Sequence, residues 1–253
     1  MHETPRWLAA VTLFALIATG GAAAKADEPD YTDVSAYILQ AEMALQREDY
    51  LMAVREYRKA ATLSDNPDVA RQAAMTGMAF GFDEESLIGA KRWLQLEDSS
   101  DEARAFVAQL SFRTGDTRTA RRHFKALLDK DDAGPGEKLV LLTRYLSDSG
   151  NPVDADKMMR SLAKPYKDDP LAHYAVATMA LESGDIEYAL ERASQAIELE
   201  PDNLKHKLLY GRALLRNGEI DEAIDYTARL VGDDLDPDPD ARVELAIMYM
   251  MAY

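Results

Sequence analysis

Two groups of residues in this chain have types and spacings that could do chemistry. Within Asp233-Asp234-Leu235-Asp236-Pro237-Asp238-Pro239-Asp240, the carboxylates of Asp236, Asp238 and Asp240 alternate, as the oxygen ligands of a calcium loop do. The glycine such a loop needs next is Ala241, and its distal glutamate position holds Ile247. Two prolines also stiffen the run, so a solvated loop between helices is the expected role. His173 and His206 are the second group. Two imidazoles supply at most half of a zinc site, and a packing or solvated role is expected of both. No glycine-rich phosphate loop, metalloprotease helix or serine elbow is present. Acidic clusters such as Asp83-Glu84-Glu85 fall at helix starts, where they complement the helix dipole. The chain has no cysteine, which excludes disulfides, thiolate metal sites and a cysteine nucleophile. No catalytic residue, metal, cofactor or small-molecule substrate is expected, and enzymatic activity is not expected of this segment.

Charge narrows the partner. The chain of 253 residues carries 29 basic and 45 acidic side chains, a formal net charge of −16. Nucleic acid is not an expected partner, because phosphate binding requires a basic footprint. Apolar residues at 47% and charged residues at 29% are ordinary for a soluble folded protein.

The elements that must carry any site show themselves by repetition. Arg113-Thr114-Gly115-Asp116…Ala120, Asp148-Ser149-Gly150-Asn151…Ala155, Glu182-Ser183-Gly184-Asp185…Ala189 and Arg216-Asn217-Gly218-Glu219…Ala223 are nearly superimposable. Each glycine precedes an alanine by five residues, and the glycines recur every 34 or 35 residues. This is the mark of stacked helix–turn–helix units. In Pro170–Asn203, Pro170 opens a helix, Gly184 ends it in a left-handed cap, and Asp185 is placed to cap the next. Ile186, Ala189, Leu190, Ala193, Ala196 and Ile197 form the second apolar stripe. Pro201 then closes the unit, since proline cannot continue a helical hydrogen-bond ladder. Ala177 and Ala189 fall where the paired helices must approach closely, and Leu199 and Leu208 are expected to fill the space between units.

This pattern resembles the tetratricopeptide repeat, with small residues at the eighth and twentieth positions, alanine at the twenty-seventh and proline at the thirty-second. Pro170–Asn203 matches through Ala177, Ala189, Ala196 and Pro201, and Leu204–Asp236 through Tyr210, Gly211, Leu214, Gly218, Ala223 and Leu230. Asp101–Ala133 and Gly136–Asp169 fit, the latter more loosely. In Val34–Asn66, Glu48 replaces the turn glycine, and Val69–Leu96 is the weakest unit, marked mainly by Ala90. The resemblance implies an all-α right-handed superhelical solenoid of antiparallel helix pairs, with about six repeats plus the first helix of another in residues 27–253. The apolar last helix, from Val243 to Met251, leads to the expectation of further repeats beyond it, or of a terminal helix that docks a partner.

In such proteins the first helices line an inner groove that binds a protein or peptide. The inner positions here include Gln109, Arg113, Arg144, Tyr174, Arg212 and Arg216, the candidate partner-binding residues. Lys205 adds a fifth basic group, against Glu102, Glu137, Asp148 and Glu182. Arginine pairing to partner carboxylates is one reading; the other is that these arginines offset their own helix ends and nearby acids. The lysine and asparagines by which some members clamp a C-terminal carboxylate are absent, their places being held by Ala105, Val140, Tyr174 and Leu208 and by Gln109, Arg144, Thr178 and Arg212.

Residues 1–26 read as an address. Arg6 precedes the uncharged run Trp7–Thr19, and Gly20-Gly21-Ala22-Ala23-Ala24-Lys25-Ala26 is rich in small residues, the plan of a secretory signal peptide. The run is shorter than the roughly 20 residues of a spanning helix. Cleavage after Ala26 would leave Asp27 as the first residue, with cleavage after Ala24 the alternative. Loss of two basic and one acidic side chain takes the charge from −16 to −17. A cysteine-free exported chain suits a bacterial periplasm. More narrowly, Tyr37-Ile38-Leu39-Gln40-Ala41-Glu42…Gln46-Arg47 with Arg113-Thr114-Gly115-Asp116 resembles long repeat lipoproteins of Gram-negative outer membranes, some of which deliver substrates to a processing protease. This chain lacks their lipidated cysteine. The expected function is a periplasmic, non-enzymatic scaffold or adaptor. The alternatives are a subunit of an exopolysaccharide or outer-membrane export complex, or the binding region of an enzyme whose catalytic domain lies beyond Tyr253.

Overall fold

The computed structural model describes residues 31–130, 133–148, 150–231 and 239–252. The expected signal, residues 1–26, and most of the acidic run, residues 232–238, lie outside the described residues. What is described is helical throughout, joined by turns and short loops, with no strand among the described residues. The helices are α1 (Tyr31–Gln46), α2 (Tyr50–Leu63), α3 (Pro67–Ala79), α4 (Asp83–Leu96), α5 (Asp101–Arg113), α6 (Thr117–Leu128) and α7 (Pro135–Ser147). They continue as α8 (Pro152–Ala163), α9 (Pro170–Ser183), α10 (Ile186–Leu199), α11 (Leu204–Arg216), α12 (Ile220–Val231) and α13 (Pro239–Ala252). Each helix packs on the next along most of the chain, and α9 also packs on α7, so hairpins stack into one array. The all-α fold class is borne out.

The turn inside each hairpin repeats one conformation. Gly115, Gly150, Gly184 and Gly218 have φ between 79° and 86°, the left-handed region that only glycine enters without cost. The structure adds Gly81, with φ 77°, 34 residues before Gly115. It also adds Glu48, which takes φ 60° although it is not glycine. The hydrogen bonds show that these are one turn. The N–H of the following residue donates back across the cap, from Asp49 to Ala44 O, Phe82 to Gly77 O, Asp185 to Ala180 O and Glu219 to Leu214 O, at 2.8–3.1 Å.

The small residues expected at the helix crossings are buried. Ala120, Ala155, Ala177, Ala189 and Ala223 are all at most 1% exposed. Gly211 packs so closely that a Cβ there would stand 2.8 Å from Thr227 Oγ1. The second hairpin reaches the same closeness differently. A Cβ on Gly77 would lie 2.7–2.9 Å from Ser86, including its backbone, and one on Gly89 would lie 2.7 Å from the Ala74 nitrogen. Ser86 sits where the other hairpins carry alanine, and its hydroxyl donates to Ala74 O at 2.5 Å. That exchange hid Gly81 from the glycine–alanine spacing.

One local expectation holds in part and one is corrected. Asp185 occupies the N-cap position of α10 without a side-chain cap bond, and its carboxylate accepts chiefly from Arg160 at 2.7 Å. Leu199 is 46% exposed rather than filling an inter-unit space, whereas Leu208 is buried as expected.

Glu48→Gly should raise stability by about 0.5–1 kcal/mol, because the turn conformation no longer strains a side chain. Gly77→Ala should lower it by about 1–3 kcal/mol, because the Ser86 backbone cannot give way. Urea unfolding with unchanged m-values would check both.

Candidate functional site

The inner positions are neighbours in space, and cross-repeat bonds show it. Arg71 of α3 donates to Glu102 of α5 at 3.2 Å. Ser147 at the end of α7 donates to Glu182 of α9 at 2.7 Å. Arg212 of α11 donates to Glu244 of α13 at 2.6 Å. Arg113 spans three hairpins, bonding Asp83 at the start of α4 at 2.9 Å and the Asp148 carbonyl after α7 at 3.2 Å. Each pair links one unit to the next.

These bonds redistribute the candidate residues. Gln109 is only 7% exposed, so its side chain is part of the interior rather than a ligand contact. Arg113 is committed on both sides to neighbouring hairpins. The reading in which these arginines offset nearby acids therefore describes Arg113, although its acid, Asp83, belongs to another repeat and its second partner is a backbone carbonyl. Arg144 and Arg216 are exposed, and their side chains make no hydrogen bond or ion pair with any described residue. Tyr174 and Arg212 are brought together with residues absent from the candidate set.

That meeting place is a pocket of about 370 Å³ on the first-helix face, lined by Tyr174 of α9, Lys205, Leu208 and Arg212 of α11, and Asp240, Val243, Glu244 and Ile247 of α13. It pairs an aliphatic wall with cationic groups. Lys205 makes no side-chain bond to a described residue. Arg212 spends one N–H on Glu244, which is 5% exposed, and that carboxylate holds the guanidinium above its ordinary pKa. Asp240 belongs to this wall, not to a calcium loop. Among the described residues no group of three or more His, Asp or Glu is placed to hold a metal. None of their helices is long and apolar enough to cross a membrane.

The two histidines do not meet. His173 Nε2 donates to the Lys167 carbonyl at 2.7 Å. His206 is fully buried, with its ring 5.5 Å from that of Tyr174. Burial holds the His206 imidazole below its usual pKa, against the opposing pull of Glu200, whose Oε2 stands 3.8 Å from Nδ1. His206 thus lies directly behind the pocket wall, as a neutral packing group.

With this geometry in place, a family model for the tetratricopeptide repeat matches residues 180–246, from the end of α9 into α13. These are tetratricopeptide repeats. The left-handed turn of Gly184 and Gly218 recurs upstream at Gly150, Gly115, Gly81 and Glu48. No curated protein matches the chain. Among solved structures, the MamA protein is similar at 18% identity over 78% of this chain and 88% of its own, with a TM-score of 0.36. PilW, a type IV pilus biogenesis factor, is similar at 15% identity over 85% and 98%, with a TM-score of 0.43. A tetratricopeptide repeat protein of Parabacteroides merdae is similar at 14% identity over 88% of each chain, with a TM-score of 0.43.

Two outcomes check the repeat-to-repeat contacts. Arg212→Ala strands the buried Glu244 carboxylate and should cost about 1–2 kcal/mol, a loss that Glu244→Leu in the same chain largely restores. A double-mutant cycle in urea measures this. For His206, the folded pKa lies below the unfolded value of about 6.5, so its contribution is present above that pH and is lost as pH falls through the folded pKa. Between pH 7.5 and 5.5, the melting temperature should fall further in the parent than in His206→Leu, by circular dichroism.

Proposed function

We propose that this chain is an exported, non-enzymatic scaffold that binds a protein partner through the first-helix face of its tetratricopeptide repeats. The observation that carries this reading is the pocket between α9, α11 and α13. It places the unpaired Lys205 ammonium and the half-exposed Arg212 guanidinium beside Leu208, Val243 and Ile247. A peptide segment with a carboxylate next to an apolar side chain matches that pattern. The carboxylate would gain a charge-assisted bond, and the apolar group would cover exposed aliphatic surface. Exposed Arg144 and Arg216 extend the cationic surface of the first helices.

The export signal in residues 1–26 supports a periplasmic location. Within that compartment, an adaptor that presents substrates to a processing protease is the finer proposal, resting on the resemblance of Tyr37–Arg47 and Arg113–Asp116 to outer-membrane repeat lipoproteins.

A photo-crosslinking residue placed at Val243, which is 58% exposed, should capture a discrete partner in cells. Lys205→Glu should reduce that capture at least tenfold, with the mature chain recovered from the periplasm beginning at Asp27. The fold should be unaffected, since Lys205 makes no side-chain bond to a described residue. Equal capture by the parent and by Lys205→Glu would remove the pocket from the binding surface. Recovery of an uncleaved chain from the cytosol would remove the export reading.

A further inference from the structure

A second pocket lies away from the first-helix groove, among α8, α9 and α10. It has a volume of about 300 Å³ and is lined by Arg160, Ala163 and Lys164 of α8 and its cap, by Tyr166 and Lys167 of the following loop, and by Ala172, His173, Val176, Tyr188 and Arg192. In a chain of net charge −16, the fully charged side chains lining it are all basic: Arg160, Lys164, Lys167 and Arg192. The sequence pattern gave no warning of this, because the four are drawn from two second helices and a loop.

The acids that reach the two arginines are spent on them, and Asp168, beside Lys167 in the loop, has no side-chain partner among the described residues. Asp156 and Asp185 are both taken by Arg160, at 2.6 and 2.7 Å. Glu191 is taken by Arg192 at 2.9 Å. Asp169 is turned to backbone amides, accepting from Gly136 at 2.9 Å, Leu171 at 2.9 Å and Ala172 at 3.3 Å. The two lysines are left over. Lys164 and Lys167 are exposed, and neither ammonium has a partner among the described residues. The hydroxyls of Tyr166 and Tyr188 also make no bond there, and Arg192 Nε is buried with none. The ammonium groups of Lys164 and Lys167, Arg192 Nε and the two tyrosine hydroxyls can each donate a hydrogen bond.

The walls are also held in place. The Arg160 guanidinium lies 3.8 Å from the Tyr188 ring centre and that of Arg192 4.6 Å from it, stacking that fixes both cations. His173 Nε2 pins the loop by donating to the Lys167 carbonyl. That loop runs through 164–169, longer than the connections at 64–66, 97–100 and 200–203, and its added length carries Tyr166 and Lys167 to the pocket rim.

We propose that this pocket binds a small oxyanion, a compound presenting a phosphate or carboxylate group to Lys164, Lys167, Arg192 and the two tyrosine hydroxyls. Two unpaired ammonium groups, beside an Arg192 Nε–H that is held against the Tyr188 ring and has no acceptor, match that chemistry. The site is independent of the groove, sharing no lining residue with it.

The test is titration of the mature protein with inorganic phosphate and, separately, with succinate, at constant ionic strength and pH 7.5. Binding is read by calorimetry and by broadening of the phosphate ³¹P resonance. The parent should bind at least one of the two saturably. Lys164→Glu with Lys167→Glu should weaken that binding at least tenfold while leaving the circular dichroism melt unchanged. Arg144→Glu with Arg216→Glu, which alters the net charge equally on the groove side, should leave it intact. Saturation by phosphate alone or by succinate alone tells which group the pocket prefers. Saturation by neither, or equal loss in both double variants, overturns the proposal.

Discussion

Every hairpin in this protein depends on one backbone state, a residue with φ near +80° between two helices. The left-handed residue reverses the chain within one position, letting the next N–H return to a carbonyl of the helix just finished. It thereby determines which residues of the two helices face each other. Seven positions before it and five after it, the paired helices cross, and only alanine, glycine, serine or threonine occupies those places. Two hairpins depart from the commonest residues. The second hairpin replaces alanine by Ser86, satisfies the hydroxyl on a backbone carbonyl, and gains its closeness from Gly77 and Gly89. The first hairpin keeps the turn with Glu48, and a glutamate in that conformation carries strain the glycine turns avoid.

A stack of such hairpins has no central core to hold distant units together, so neighbours must be joined pair by pair. Buried apolar side chains do most of this. On the first-helix face, charge and hydrogen bonds add to it: Arg71 to Glu102, Arg113 to Asp83 and Asp148, Ser147 to Glu182, Arg212 to Glu244. These contacts lie on the face that would meet a partner, and they compete with it for the same groups. The surface left for recognition is what the stacking does not use, namely Arg144, Arg216, Lys205 and the aliphatic wall of α11 and α13. The same accounting isolates the second pocket, where Asp156, Asp185 and Glu191 are bound to the two arginines and two lysines have no partner.

The hairpin array, its period and the small residues at its crossings could be read directly from the chain, because each follows from local backbone geometry and recurs in register. Glycine at 115, 150, 184 and 218, with alanine five positions on, is a local signal. Gly81 escaped it only because Ser86 stands where alanine was sought. What could not be read was the state of each charged side chain. Gln109, Arg113 and Arg212 look alike as inner-face positions. Yet Gln109 is interior, Arg113 is bound to two other hairpins, and Arg212 is half free at a pocket edge. Asp185, at the N-cap of α10, turns its carboxylate chiefly to an arginine 25 residues earlier. The partners are 25 to 35 residues away, at distances set by how the units stack. The sequence alone determined the helices, the turns and their register, because those depend on residues within a few positions of one another. Only the tertiary structure decided which charges are spent and which are free, because a salt bridge depends on where two repeats bring their side chains together.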